Sequence, residues 1–328
     1  MDRRRRRTLA LGLALTLALA AQLALPAAHA EDYPARPVRI VVGFIPGSAA
    51  DITARVLGQR MGQSLGQQFV IENKPGAGSS LAAELVARAP NDGYSLFLGS
   101  SANITNAAIN PALPFDMAKD FAPIALATTA PVILVVHPAL GVNSVPELIA
   151  LAKAKPGEVL YASTGVGTAP HLSGELFAIR SGVKLVHVPY QGSPQAVTDL
   201  LAGRTTMMFS PASAVVGQVA TGKLKALASA AAKRPSIAPD LPTMAEAGMP
   251  DFDTSIWFGL MAPAGTPRAA MDKLARAASE ALASNEVLAS LHPQGFDALS
   301  GGPEEFAATI QREIKRWGEV AQAAGLKK

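Results

Sequence analysis

The feature that most constrains this chain is an alternation. Short apolar, β-branched runs recur between segments with helical spacing, and loops of small residues join them. "VRIVVGF" (38–44) is a strand, and a helix follows from about Asp51, with Ile52, Val56, Met61 and Leu65 on one face and Gly66 just beyond. "QFVIEN" is a second strand, "KPGAGSS" a loop, "LAAELVARA" a helix and "YSLFLGS" a third strand. This is the rhythm of a parallel sheet with helical crossovers, so the fold class is α/β.

A second series starts after Pro131. The strands "PVILVVHP", "VLYAST", "KLVHVPY", "TTMMFS" and "LKALASA" alternate with helices, one of them opened by a Ser144–Glu147 capping box. Residues 233–255 are proline-rich and irregular. "IWFGLMAP" then reads as a strand, and Thr266-Pro267 opens a helix. The last helix begins near Pro303, with Phe306, Ile310, Ile314, Trp317 and Ala321 on one face. We expect two lobes, residues 31–130 with 256–328 and residues 131–255, crossed twice and hinged near Ala130 and Ser255.

Residues 1–30 differ from the rest. "MDRRRRR" is a basic head, an apolar run follows, and Ala28-His29-Ala30 gives the small-x-small pattern. We read a secretory signal peptide cleaved after Ala30, by the general export route rather than the twin-arginine one. Its removal takes away Arg3 to Arg7 and Asp2 and leaves 24 basic and 24 acidic residues, from 29 and 25. That balance offers no electrostatic case for nucleic acid. The chain has no cysteine, which excludes disulfides, thiolate metal sites and a cysteine nucleophile.

Two loops share one plan. "GFIPGSAAD" (43–51) and "STGVGTAPH" (163–171) each run from a strand, through small residues, into a helix start. A helix N-terminus has unpaired N–H groups and a partial positive charge, and a glycine-rich approach lets an anion reach it. One such loop per lobe suggests a clamp for a small carboxylate. Asp51 either caps its helix or faces the cleft to meet an ammonium or hydroxyl. His171 either meets the carboxylate or is a structural first-turn residue. Phe44, Tyr190 and Trp257 are candidate apolar walls.

Other constellations fail. "GAGSSL" (76–81) lacks the third glycine of a dinucleotide fingerprint, and "GQVATGKL" (217–224) has Leu224 where a P-loop needs Ser or Thr. No G-x-S-x-G stands on a strand-to-helix elbow, and His137, His171, His187 and His292 do not pair at metal-ligand spacing. No cofactor, metal or catalytic residue is expected.

The chain resembles the periplasmic substrate-binding proteins of tripartite tricarboxylate transporters, the Bug or TctC family. The resemblance runs from about Tyr33 to Gly325. It is carried by "YPARPVRIVVGFIPGSAADITAR", "VIENKPGAGSSLAAELVARAPNDGYSLFLGS", "YASTGVGTAPHLSGELF", "VPYQGSPQAVTDLLAG", "LPTMAEAG" and "WFGLMAPAGTP", in that order. It implies a Venus-flytrap fold, two mostly parallel sheets flanked by helices, that closes on one organic anion as a monomer. It also implies a periplasmic location, delivery to a two-component membrane permease and no enzymatic activity. Carried over residue by residue, it implies ligand contacts at Phe44, Pro46, Gly47, Ser48, Asp51, Ser163, Gly167, Thr168 and His171, and also at Gly78, Ser79, Tyr190, Gly192 and Ser210. The family usually has proline at Gly43, a proline or related residue at Ile45 and glycine at Ser48, and frequently lysine at Gln191; those departures bear on which acid binds.

Overall fold

The structure, a computed structural model, describes residues 33–326 apart from Pro111 and Gln191. The expected signal segment lies outside the described residues. The first series is β1 (Val38–Val42), α1 (Ala49–Leu65), β2 (Phe69–Asn73), α2 (Ser80–Ala87), β3 (Ser95–Ser100), α3 (Ser101–Ile109) and β4 (Phe121–Ala130). Past Pro131 come β5 (Val132–Val136), α4 (Val145–Ala154), β6 (Val159–Ser163), α5 (Ala169–Ser181), β7 (Leu185–Pro189), α6 (Ser193–Leu201), β8 (Met207–Pro211), α7 (Ala212–Ala220) and β9 (Lys225–Ser229). The return series is β10 (Ile256–Pro263), α8 (Arg268–Leu282), α9 (Asn285–Leu291), β11 (Asp297–Gly301) and α10 (Pro303–Ala323).

These strands make two sheets, ordered β11-β4-β10-β3-β1-β2 and β7-β6-β8-β5-β9. In the first, β1, β2, β3 and β4 run one way, and β10 and β11 lie antiparallel to their neighbours. In the second, β6, β7, β8 and β9 run together and β5 runs against them. The reversed strands β5 and β10 follow directly on the crossings between the sheets.

Alternation along β1 sets the layers. Val38, Ile40 and Val42 pack with Ala54, Leu57 and Met61 of α1 and Leu274 of α8, while Val41 belongs to the other face with Phe97, Val86 and Phe306. Both faces are covered, so the parallel strands read as continuous apolar runs. Each such side chain, once buried, contributes roughly 1.5–3 kcal/mol.

Four elements have weak sequence signals. β4 is alanine- and threonine-rich and contains Pro123; β11 is a polar five-residue edge strand; α3 carries Ser, Asn and Thr; α9 is short. Tertiary packing, not propensity, fixes them. At α8 the expected threonine cap is absent. The Thr266 hydroxyl donates to the Pro263 carbonyl at 2.7 Å, and the helix starts at Arg268. Among the described residues, no helix is long and apolar enough to cross a membrane.

Candidate functional site

β1 ends at Val42, and the chain turns through Gly47 at φ +78° into the α1 cap, Ser48, at φ −72° and ψ 163°. A positive φ is where glycine carries no Cβ penalty. The Asp51 N–H donates to Ser48 Oγ at 3.3 Å, and Asp51 Oδ2 accepts the Gly47 N–H at 2.9 Å. Asp51 is 2% exposed and saturated. Its Oδ1 accepts from Asn73 Nδ2 and Arg55 Nη2, and its Oδ2 from Arg55 Nε, all at 2.9 Å. Asn73 also donates to the Phe44 carbonyl at 3.0 Å. Burial alone would raise the Asp51 pKa. Hydrogen bonds from Arg55, Gly47 and Asn73 outweigh burial and hold it below the ordinary 3.8. Asp51 therefore builds the loop and has no lone pair directed to a guest ammonium or hydroxyl. The cap itself is Ser48.

The second loop repeats this geometry. Gly167 has φ +79°, and its successor Thr168 caps α5 at φ −78° and ψ 160°. Four residues after the glycine, His171 Nδ1 accepts the Gly167 N–H at 3.0 Å. Accepting through Nδ1 puts any ring proton of the neutral imidazole on Nε2, which lies 3.8 Å from Glu175 Oε1. Burial pushes the His171 pKa down to about 4. Its ring stacks on His187 at 4.0 Å, and His187 Nε2 is 2.7 Å from Ser163 Oγ. Burial, then repulsion by His171, brings His187 to about 4 as well. Ser163 is wholly buried and its Oγ also accepts the Gly165 N–H at 3.1 Å, so this Ser–His pair braces the loop.

Both loops open on one cavity of about 210 Å³ between the sheets. Phe44, Ser48, Ala49 and Ala50 line it from the first loop, and Thr164, Thr168, Ala169 and Pro170 from the second. Ile256 and Phe258 form an apolar wall from β10. A third turn, Ser100 to Ala102, completes the lining with the N-terminus of α3. Sequence reasoning missed this turn, although "LGSSAN" has the same strand, small-residue and helix order as the other two. Among the described residues, no ionisable side chain lines the cavity. In α1 the amides of Asp51 and Ile52 are taken by Ser48, and in α5 the amide of Leu172 is taken by Thr168. Pro170 has none. The earlier first-turn amides, on Ala49, Ala50, Ala169 and His171, are those a helix leaves without an internal acceptor.

Other sequence-selected residues sit away from the lining. Pro46 and Gly47 are exposed on the rim. Gly78 and Ser79 shape the turn into α2, with φ +62° and +75°. The Tyr190 hydroxyl donates to Asp199 at 2.8 Å and its ring lines a different surface pocket. Gly192 caps α6, and the Ser210 hydroxyl is buried and donates to the Pro211 carbonyl at 3.2 Å. Trp257 is a correction. Strand side chains alternate faces, so Ile256 and Phe258 reach this cavity and Trp257 points to the other side, edge-on to Phe306. There it lines a larger cavity of about 630 Å³ beside the two crossings. That cavity presents Asp253, Asp297, Glu305 and Glu313 against Lys233, Arg234 and Arg312, an environment that repels a carboxylate at several points.

Residues 53–326 match the family described as the tripartite tricarboxylate transporter family receptor. The chain belongs to that family. BugT of Bordetella pertussis is 38% identical over 300 residues, covering 91% of this chain and 92% of BugT. Among solved structures, the R. palustris protein Rpa4515 with adipate is 35% identical at a TM-score of 0.76, covering 90% of this chain and 99% of that one. MatC of Rhodopseudomonas palustris with bound malate is 34% identical at 0.73, covering 88% and 99%.

Proposed function

We propose that this receptor is exported to the periplasm and captures a small organic carboxylate between its lobes. It then delivers the acid to a two-component membrane permease and performs no chemistry on it. The observation that carries the reading is convergence: three helix N-termini meet at one cavity whose lining, among the described residues, has no ionisable side chain. Unpaired amides in a water-poor pocket bind negative charge without a cationic partner. The adipate and malate in the two R. palustris relatives support the same class of ligand.

Isothermal titration of residues 31–328 with carboxylates including adipate and malate tests it. We expect saturable binding of at least one acid and none of its uncharged amide, with the acid recovered unchanged. Silence across the panel, or equal affinity for the amide, contradicts it. Intact mass of protein from the periplasmic fraction checks cleavage after Ala30. Loss of growth on the acid after deletion of the permease genes checks delivery.

A further inference from the structure

Three of the chamber's five hydroxyl side chains are committed, and of the other two, on Thr164 and Ser101, only Ser101 is buried. Ser48 Oγ takes the Asp51 N–H, Thr168 Oγ1 donates to the Gly165 carbonyl at 2.7 Å, and Ser100 Oγ donates to Asn103 Oδ1 at 3.1 Å. Ser101 differs. It is 3% exposed, it lines the cavity, and its Oγ has no hydrogen-bond partner among the described residues. It is also the first residue of the nine-residue α3, so the hydroxyl stands beside that helix's unpaired amides. A buried polar atom left unpartnered costs free energy, and native structures seldom keep one without a reason. The arrangement is a polar end to a chamber otherwise walled by Phe44, Pro170, Ile256 and Phe258.

We infer that Ser101 is a specificity-determining residue that recognises a second polar group on the ligand. That group is a second carboxylate, separated from the first by a short apolar body. The inference rests on the proposed carboxylate-binding function. The amides of α1 and α5 hold one end, the apolar walls accept the methylenes, and Ser101 with the α3 N-terminus receives the other end. A monoacid of equal length fills the same space and leaves the Ser101 hydroxyl unpartnered. By the asymmetry of hydrogen-bond energetics, a site built to pair such a group discriminates strongly against a ligand that lacks it.

The test is titration of wild type, Ser101→Ala and Ser101→Cys with matched pairs: succinate with butanoate, adipate with hexanoate. Wild type is expected to bind at least one diacid about tenfold or more tighter than its matched monoacid, the ratio of one charge-assisted hydrogen bond. Ser101→Ala is expected to remove that ratio by weakening the diacid alone. Ser101→Cys keeps the volume, weakens the hydrogen bond and gives the same comparison should alanine disturb folding, which thermal unfolding reports. A ratio retained in both variants overturns the inference and leaves carboxylate binding standing. So does an equal loss for both acids, or a wild type that prefers the monoacid. Failure of wild type to bind any of the four acids or malate overturns the carboxylate reading and this inference together.

Discussion

Asp51 and His171 occupy equivalent places in two loops of one shape, one in each lobe. Each lies four residues after a glycine of φ near +78° and accepts that glycine's N–H, at 2.9 and 3.0 Å. One acceptor is an anion and the other a neutral ring. The charge of Asp51 is absorbed by Arg55 and by Asn73 from β2, whereas His171 is kept uncharged by burial. Thus the loop backbone requires an acceptor at this position and tolerates either electrostatic solution. Neither side chain lines the cavity between the two loops. A third instance sharpens the lesson: at α4, Ser144 Oγ accepts the Glu147 N–H, and Glu147 accepts the Asn143 N–H at 2.8 Å. Those residues line no cavity between the lobes. The bond is therefore an ordinary helix-start device, and the site arises from the convergence of capped helices on one space.

The comparison breaks most sharply at Asp51. Asp51→Ala strands the Gly47 amide, Asn73 and a partly buried guanidinium; we expect a loss of about 3 kcal/mol in urea unfolding, tempered by the half-exposure of Arg55. Asp51→Asn keeps an acceptor and should lose less.

Acidity separates the two loops next. His171 and His187 have folded values of about 4, below the ordinary 6.5, so between those values the unfolded chain binds more protons. Their stabilisation is complete above pH 6.5 and is lost as pH falls towards 4. For His171 alone this amounts to roughly 3 kcal/mol. Asp51 is also depressed, from 3.8, so its contribution is lost only as pH falls below that ordinary value. Unfolding free energies of wild type between pH 7 and 4 should decline, and His171→Gln, which keeps a neutral acceptor, should flatten the decline by about half.

Smaller effects distinguish the glycines. Alanine at either incurs a left-handed backbone penalty of about 1–2 kcal/mol. A Cβ at Gly47 meets nothing within 4 Å, but one at Gly167 falls 2.5 Å from Ile109 Cδ1, on the opposite lobe. Gly167→Ala should therefore also weaken ligand affinity by holding the lobes apart, while Gly47→Ala should act mainly on stability. The caps give the least. Ser48→Ala removes a cap hydrogen bond and should cost about 1 kcal/mol, and Thr168→Ala, whose hydroxyl bonds within its loop, about half that, by thermal unfolding.

Much of this was readable from the chain. Spacing and small-residue runs placed both loops at strand ends, because glycine and helix caps have local causes. "IWFGLMAP" read as a strand, and β10 spans Ile256–Pro263. Its facing did not follow, because a strand buried on both sides has no polar alternation to set parity, and so Trp257 was assigned to the wrong cavity. Ser101 was hidden for a different reason. "SSANITN" carries little apolar periodicity, and only the packing of the lobes brings it beside Ala49 and Ala169. Tyr190 and Ser210 look like loop-end contacts in sequence, but internal hydrogen bonds occupy both hydroxyls.

The most direct measurement is a crystal structure of residues 31–328 with the tightest-binding acid from the titration. The account predicts carboxylate oxygens at hydrogen-bonding distance from the first-turn amides of α1 and α5, with the ligand body against Ile256 and Phe258. An acid seated instead in the cavity of Asp253, Trp257 and Arg312, or held by a charged side chain, would contradict it.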